Sequence, residues 1–165
     1  MTEPRIGVLV GPVRVGKTTV AARVAGLLRA QGNVCGGLLA PAVFDGCGQK
    51  VGILGVDLRK GERHTLARVD RELGGPTVGP YSFDAGALTW AIDVITRDAG
   101  ERDLLVVDEI GRLELEEGCG LAPVRRALRT RQDGRSLVLV RDSLLDLLRT
   151  ELSPLELDLF QVTED

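Results

Sequence analysis

Gly11-Pro12-Val13-Arg14-Val15-Gly16-Lys17-Thr18 is the stretch on which the reading of this chain turns. Glycine stands at its first and sixth positions, followed by lysine and a hydroxyl residue, the pattern GxxxxGK(S/T). Just upstream, Arg5-Ile6-Gly7-Val8-Leu9-Val10 is a short β-branched, apolar run that stops at Gly11 and Pro12, which predicts a buried strand followed by a turn. Downstream, Val20, Val24, Leu27 and Leu28 recur at helical spacing between Lys17 and Gln31, with Gly32 as a stop. Strand, glycine loop and helix follow in order, which is the context the pattern requires. Lysine is scarce here, with Lys17, Lys50 and Lys60 the only three among 21 basic residues, so a motif that demands one is harder to meet by chance.

The chemistry of such a loop is anion binding. Gly11 and Gly16 let the backbone curl so that successive N–H groups point inward at phosphate oxygens, and the helix starting near Lys17 adds its positive dipole end. Gly11, Pro12, Val13, Arg14, Val15, Gly16, Lys17, Thr18 and Thr19 are therefore the expected nucleotide-binding residues, with Thr19 already on the helix and Arg14 facing solvent. Lys17 is expected on the β- and γ-phosphates, and the Thr18 hydroxyl on a magnesium ion.

A second carboxylate site lies far along the chain. Asp103-Leu104-Leu105-Val106-Val107 is apolar on both faces, as a central parallel strand should be, and it delivers Asp108-Glu109 at its C-terminal end. Open α/β sheets place ligands there. Asp108 suits the second protein ligand of magnesium. Glu109 suits a general base for an attacking water, its alternative being a surface pair with an arginine. Arg112 is a candidate internal cation for developing charge. Glu114, Glu116 and Glu117 read as a solvated acidic face. His64 has no visible partner, and Trp90 reads as helix core packing rather than a base-stacking residue.

Elsewhere, Val34 to Ala40 and Lys50 to Leu58 predict two strands of a β-hairpin arm around Asp45-Gly46-Cys47-Gly48, and Gly61 to Pro80 reads mostly as loop. Ser82 or Asp84 can cap a helix carrying Leu88, Ala91, Ile92 and Ile95 and ending at Gly100. Pro123 to Arg131 predicts a helix, Ser136 to Val140 a buried strand, Ser143 to Leu152 a helix capped by Ser143, and Leu157 to Val162 a last strand. Alternating helices and apolar strands predict an α/β fold, a mostly parallel sheet covered by helices on both faces.

The chain has 165 residues, 44% hydrophobic and 27% charged, the size and composition of one globular domain spanning 1–165. A net charge of −3 argues against a nucleic-acid partner, which calls for a basic patch. Met1-Thr2-Glu3-Pro4-Arg5 lacks a signal-peptide layout, and no apolar run approaches about 18 residues, so a cytoplasmic protein without a membrane span is expected. Cys35, Cys47 and Cys119 lack metal spacing and read as ordinary thiols.

Three segments carry a resemblance to a known family: Gly11 to Thr19; Gly36-Gly37-Leu38-Leu39 leading to Val51-Gly52 and Val56-Asp57-Leu58; and Val107-Asp108-Glu109-Ile110-Gly111-Arg112-Leu113-Glu114-Leu115. The last looks like a DEIG(K/R)MEL box. Together they resemble the nucleoside-triphosphatase family of thermophilic prokaryotes, with a cancer-related member in humans, over most of residues 5–163. The resemblance implies a three-layer, RecA-like P-loop NTPase fold and magnesium-dependent hydrolysis of ATP, GTP and other nucleoside triphosphates with little base selectivity. It assigns Lys17 and Thr18 to phosphate and magnesium, Asp108 and Glu109 to the acidic pair, and Arg112 to a position often basic. Two stretches depart from the pattern: Ala40-Pro41-Ala42-Val43-Phe44 replaces a polar TEEVR-like segment, and Val162-Thr163-Glu164-Asp165 resembles a VTxEN segment without the usual following helix.

Two other functions share the same phosphate clamp. One is a kinase, for which Arg63, Arg68 and Arg71 in the Gly61–Pro80 stretch would be the lid candidates. The other is a nucleotide-dependent switch whose output is partner binding. A protein partner or a homo-oligomer leaves no mark in the sequence.

Overall fold

The computed structural model describes residues 5–12, 16–100, 103–108, 121–131 and 134–163. Within them the chain runs β1 (Arg5–Gly11), α1 (Lys17–Ala30), β2 (Cys35–Leu39), β3 (Ala42–Phe44), β4 (Lys50–Asp57), β5 (Arg63–Arg68), β6 (Thr77–Val78) and β7 (Tyr81–Phe83). It continues through α2 (Ala85–Asp98), β8 (Leu104–Val107), α3 (Leu121–Thr130), β9 (Arg135–Arg141), a 3-10 turn (Asp142–Leu144), α4 (Leu145–Leu152) and β10 (Leu157–Gln161).

All described strands join one sheet in the order β10-β1-β9-β8-β2-β4-β5-β7-β6, with β3 added on β4. From β10 to β2 every pairing is parallel, and from β2 outward every pairing is antiparallel. Strand alternation explains why the parallel part is so apolar. Leu9, Val106, Leu137 and Leu139 point to one face, where Ala21 and Ala25 of α1 pack on them. Val8, Leu105, Val107, Val138 and Val140 point to the other, under Ala91 and Ile95 of α2, Leu128 of α3 and Leu148 of α4. The result is three layers. Burying a Leu or Val side chain in either core is worth about 1.5–3 kcal/mol.

A charged knot pins β2 and β4 to the end of α2. Asp57 and Asp98 are fully buried, and Arg97 bonds to both, with Nη1 and Nη2 on Asp57 at 2.9 and 3.0 Å and Nε and Nη2 on Asp98 at 2.8 Å each. Asp98 Oδ2 also accepts the N–H of Gly37 at 2.8 Å. Gly37 has φ 106°, and a Cβ there would lie 2.0 Å from the carbonyl oxygen of Val106, so only glycine lets β2 approach β8 this closely.

Several local expectations are corrected. The Gly61–Pro80 segment is loop over most of its length, as expected, but it also holds β5 and the short β6, and the pairing of β5 with β4 is set by backbone hydrogen bonds that leave no strong side-chain period. The turn at Asp45–Gly48 joins β3 to β4, not β2 to β4. Pro41 lacks an N–H and interrupts the incoming strand, and Asp45 Oδ1 accepts from Cys47 N and Gln49 N at 2.8 and 2.9 Å. Asp84, not Ser82, caps α2, accepting from Ala87 N at 2.8 Å, while Ser82 lies in β7. Ser143 caps nothing, since residues 142–144 form the 3-10 turn that leads into α4. Leu27 faces solvent rather than the core. His64 does have partners, Glu62 Oε1 at 2.7 Å and the Trp90 ring at 4.3 Å between centroids, and Trp90 packs against the core as expected.

Candidate functional site

The site begins where β1 ends. Gly16 is the residue before α1 and has φ 102°, a left-handed conformation that a side chain would strain. No side chain caps the helix, its first turn holds no acidic residue, and its first residue is Lys17. A lysine at the positive end of a helix dipole is unfavourable alone, so the arrangement concentrates positive potential that an anion would relieve. Lys17 Nζ donates to the carbonyl oxygens of Gly11 and Pro12, at 2.8 Å each, which folds the ammonium back over the loop.

The next residue makes the link to the second site. Thr18 Oγ1 donates to Asp108 Oδ2 at 2.8 Å across 90 residues of sequence. Asp108 directly follows β8 and is only 4% exposed. Its Oδ2 also accepts the N–H of Ala40 at 2.8 Å, while its own N–H donates to Leu38 O at 3.1 Å. The carboxylate thus joins the ends of β2 and β8 to the start of α1. Alternation puts Asp108 on the same sheet face as Val106, which is the α1 face.

A cavity of about 330 Å³ opens in front of these groups. Lys17, Thr18, Thr19 and Asp108 form its floor; Pro41, Ala42, Phe44 and Lys50 form one wall. Leu139, Val140 and Arg141 close it at the end of β9. The volume falls in the range of small-molecule sites. Phe44 leaves half of its surface exposed, and Lys50 Nζ sits 5.3 Å from the centroid of Tyr81.

Of the residues singled out from sequence, Gly11, Pro12, Gly16, Lys17, Thr18, Thr19 and Asp108 come together here. Val13, Arg14, Val15, Glu109 and Arg112 lie outside the described residues, as do Glu114, Glu116, Glu117 and Cys119. Reading the sequence missed Phe44, Lys50 and Arg141. Arg141 carried a usable signal, because it ends a buried strand just as Asp108 follows one. Phe44 and Lys50 carried none, since their place in the wall depends on how the hairpin folds back.

Cys35 is buried and its thiol is pushed up by that burial, with Arg29 opposing and Asp103 adding, which suits a packing residue. No helix among the described residues is long and apolar enough to cross a membrane.

Two solved structures share this architecture. The solution structure of a human cancer-related nucleoside triphosphatase superposes with a TM-score of 0.74 at 28% identity, covering 98% of this chain and 90% of that one. The crystal structure of THEP1 from Aquifex aeolicus gives 0.72 at 18% identity, which speaks to the fold alone. Nucleoside-triphosphatase THEP1 of Methanopyrus kandleri is 37% identical over 124 residues, 75% of this chain and 67% of the relative. That of Thermofilum pendens is 33% identical over 156 residues, 94% and 85% of the two chains. The match covers 60% of the relative from Ignicoccus hospitalis. A family model described as NTPase matches residues 7–165. The sheet order, the loop before α1 and these matches agree, and the chain belongs to this family of P-loop nucleoside-triphosphatase enzymes.

Proposed function

We propose that this chain, acting as one domain over residues 1–165, hydrolyses nucleoside triphosphates to the diphosphate and phosphate with magnesium and little base selectivity. The observation that carries the reading is the 2.8 Å bond from Thr18 to Asp108 beside Lys17 at an uncapped helix start.

Those groups fit a magnesium ion. A hydroxyl and a carboxylate are hard oxygen donors, and magnesium takes few protein ligands, filling its octahedron with water and phosphate oxygens. The cavity in front of Thr18 and Asp108 leaves room for both. Bound there, the ion would neutralise charge on the β- and γ-phosphoryl oxygens.

The chain's own groups do the rest. Lys17 exchanges the carbonyls of Gly11 and Pro12 for phosphate oxygens, replacing two neutral acceptors by charged ones, a stronger partner for an ammonium. N–H groups of the first turn of α1 hold the phosphates in line. Glu109, next to Asp108 in sequence, takes the proton of the attacking water. Phe44 and Ala42 offer a base an apolar face and an aromatic ring, which every base can stack on, and this supports low selectivity.

Two of the three lid candidates for the kinase alternative are held in the sheet, which leaves only Arg71. Arg63 and Arg68 lie on β5, and Arg68 is bound by both Nε and Nη2 to Asp70, at 2.8 and 2.7 Å.

The test is phosphate release from ATP, GTP, CTP and UTP, with and without magnesium, beside Lys17→Ala and Glu109→Gln. Release from several nucleotides, abolished in both variants and by chelation, is the expected result. Tight nucleotide binding without release in the unaltered chain would sink the proposal.

A further inference from the structure

Arg141 occupies the place in this sheet where one cation can reach both halves of the phosphate site. Strand β9 lies between β1, which feeds the phosphate loop, and β8, which feeds Asp108. Arg141 is the last residue of β9 and stands in register with Gly11, the first residue of the loop. Along β9, Leu137 and Leu139 face α1, whereas Val138 and Val140 face α2. By the same alternation Arg141 projects to the α1 face, the side that carries Lys17, Thr18 and Asp108. It lines the same cavity.

Among the described residues the half-buried Arg141 guanidinium takes part in no hydrogen bond or ion pair. A partly desolvated cation is costly unless an anion meets it. Lys50, across the cavity, already lies over the Tyr81 ring. The neighbouring Asp142 forms no ion pair with Arg141 among the described residues; its Oδ1 accepts from Gln161 Nε2 at 3.3 Å.

We infer that Arg141 is a catalytic residue that contacts the γ-phosphoryl oxygens of the bound nucleotide. It would stabilise the charge that grows there as the bond to the leaving diphosphate breaks, a cation supplied within the chain. In hydrolysis, water oxygen bonds to the γ-phosphorus while the bond to the β,γ-bridging oxygen breaks. The electron pair leaves with the diphosphate, and the water proton goes to the base. Arg141 exchanges no proton in this step. Its fork of N–H donors matches phosphoryl oxygens, and its charge persists at any working pH. The inference rests on the hydrolase reading and adds a group that the phosphate-loop pattern does not contain.

The experiment compares the full chain with Arg141→Ala and Arg141→Lys, using Lys17→Ala as the control for the site itself. Steady-state hydrolysis of magnesium-ATP is measured alongside the affinities for ADP and for the non-hydrolysable β,γ-imido analogue of ATP. Arg141→Ala is expected to lower kcat by about 100-fold or more, with partial return in Arg141→Lys and on adding free guanidinium. Affinity for the triphosphate analogue should fall while affinity for ADP holds. A kcat within about threefold of the unaltered chain overturns the assignment, as does an equal loss of both affinities with a lowered Tm, which marks a structural arginine. If the unaltered chain binds nucleotide but releases no phosphate, the hydrolase reading falls instead. Arg141 is then judged by binding alone: selective loss of the triphosphate analogue supports the contact, and unchanged discrimination refutes it.

Discussion

Replacing Arg97 with Met removes the cation at the centre of the knot that holds β2 and β4 on α2. Four short bonds to Asp57 and Asp98 disappear, and both carboxylates are fully buried. What remains is partial cover: Arg59 Nη1 at 3.5 Å and Gly37 N at 2.8 Å for Asp98, and the N–H groups of Arg59 and Lys60 at 3.0 Å for Asp57. Breaking one partner of a buried pair costs about 3–5 kcal/mol. Arg97 is 31% exposed, so water reaches the gap and the loss should sit at the low end, about 3 kcal/mol. For a chain of this size that lowers Tm by about 6–12 °C. The pH dependence has a definite sign. Burial alone would raise Asp57, but the hydrogen bonds from Arg97, Lys60 and Arg59 outweigh it and hold the carboxyl below its usual range. A lowered folded value means stabilisation that is present above pH of about 4 and is lost as pH falls through that folded value. The gap between the two proteins in urea unfolding should therefore be largest near neutrality and narrow toward acid. Adding Asp57→Asn to Arg97→Met should cost less than the sum of the single changes. A loss below about 1 kcal/mol at pH 7, or a gap that widens on acidification, would refute the electrostatic account of this knot.

Gly37→Ala should destabilise by at least about 3 kcal/mol, because φ 106° and a Cβ contact of 2.0 Å with Val106 O combine strain and overlap; calorimetry or low soluble yield would show it. Leu105→Ala, at a position with no exposure in the middle of β8, should cost about 2–5 kcal/mol in denaturant unfolding. Thr18→Ser should keep hydrolysis near that of the unaltered chain, whereas Thr18→Val should raise the magnesium concentration for half-maximal activity by about tenfold or more; equal behaviour of the two would show that the hydroxyl is not a ligand. Phe44→Ala should raise KM for all four nucleotides alike by about fivefold, corresponding to about 1 kcal/mol of stacking at a half-exposed ring. A change confined to purines would reveal a base preference.

The phosphate loop was readable from local chemistry because each of its requirements is local. Gly16 must adopt a left-handed backbone, Lys17 must follow it, and a helix must begin there, and all three demands fall within a few residues. Asp108 was readable for a related reason: a strand buried on both faces has to be continuously apolar, so a carboxylate at its end stands out. The outer, antiparallel part of the sheet was not. Strand β5 is short and carries Arg63, His64, Thr65 and Arg68, and it forms because β4 and β7 offer it backbone partners from other parts of the chain.

By itself the sequence determined the strand–loop–helix unit, the alternating α/β order and the residue types able to meet a nucleotide and a metal, since these follow from backbone preference, periodicity and charge. Only the tertiary structure decided which of them meet. The 2.8 Å bond from Thr18 to Asp108 spans 90 residues, and Arg141 enters the same cavity because β9 is inserted between β1 and β8. Strand order is a property of the whole packed sheet, set by burying two faces at once, and no window of sequence contains it.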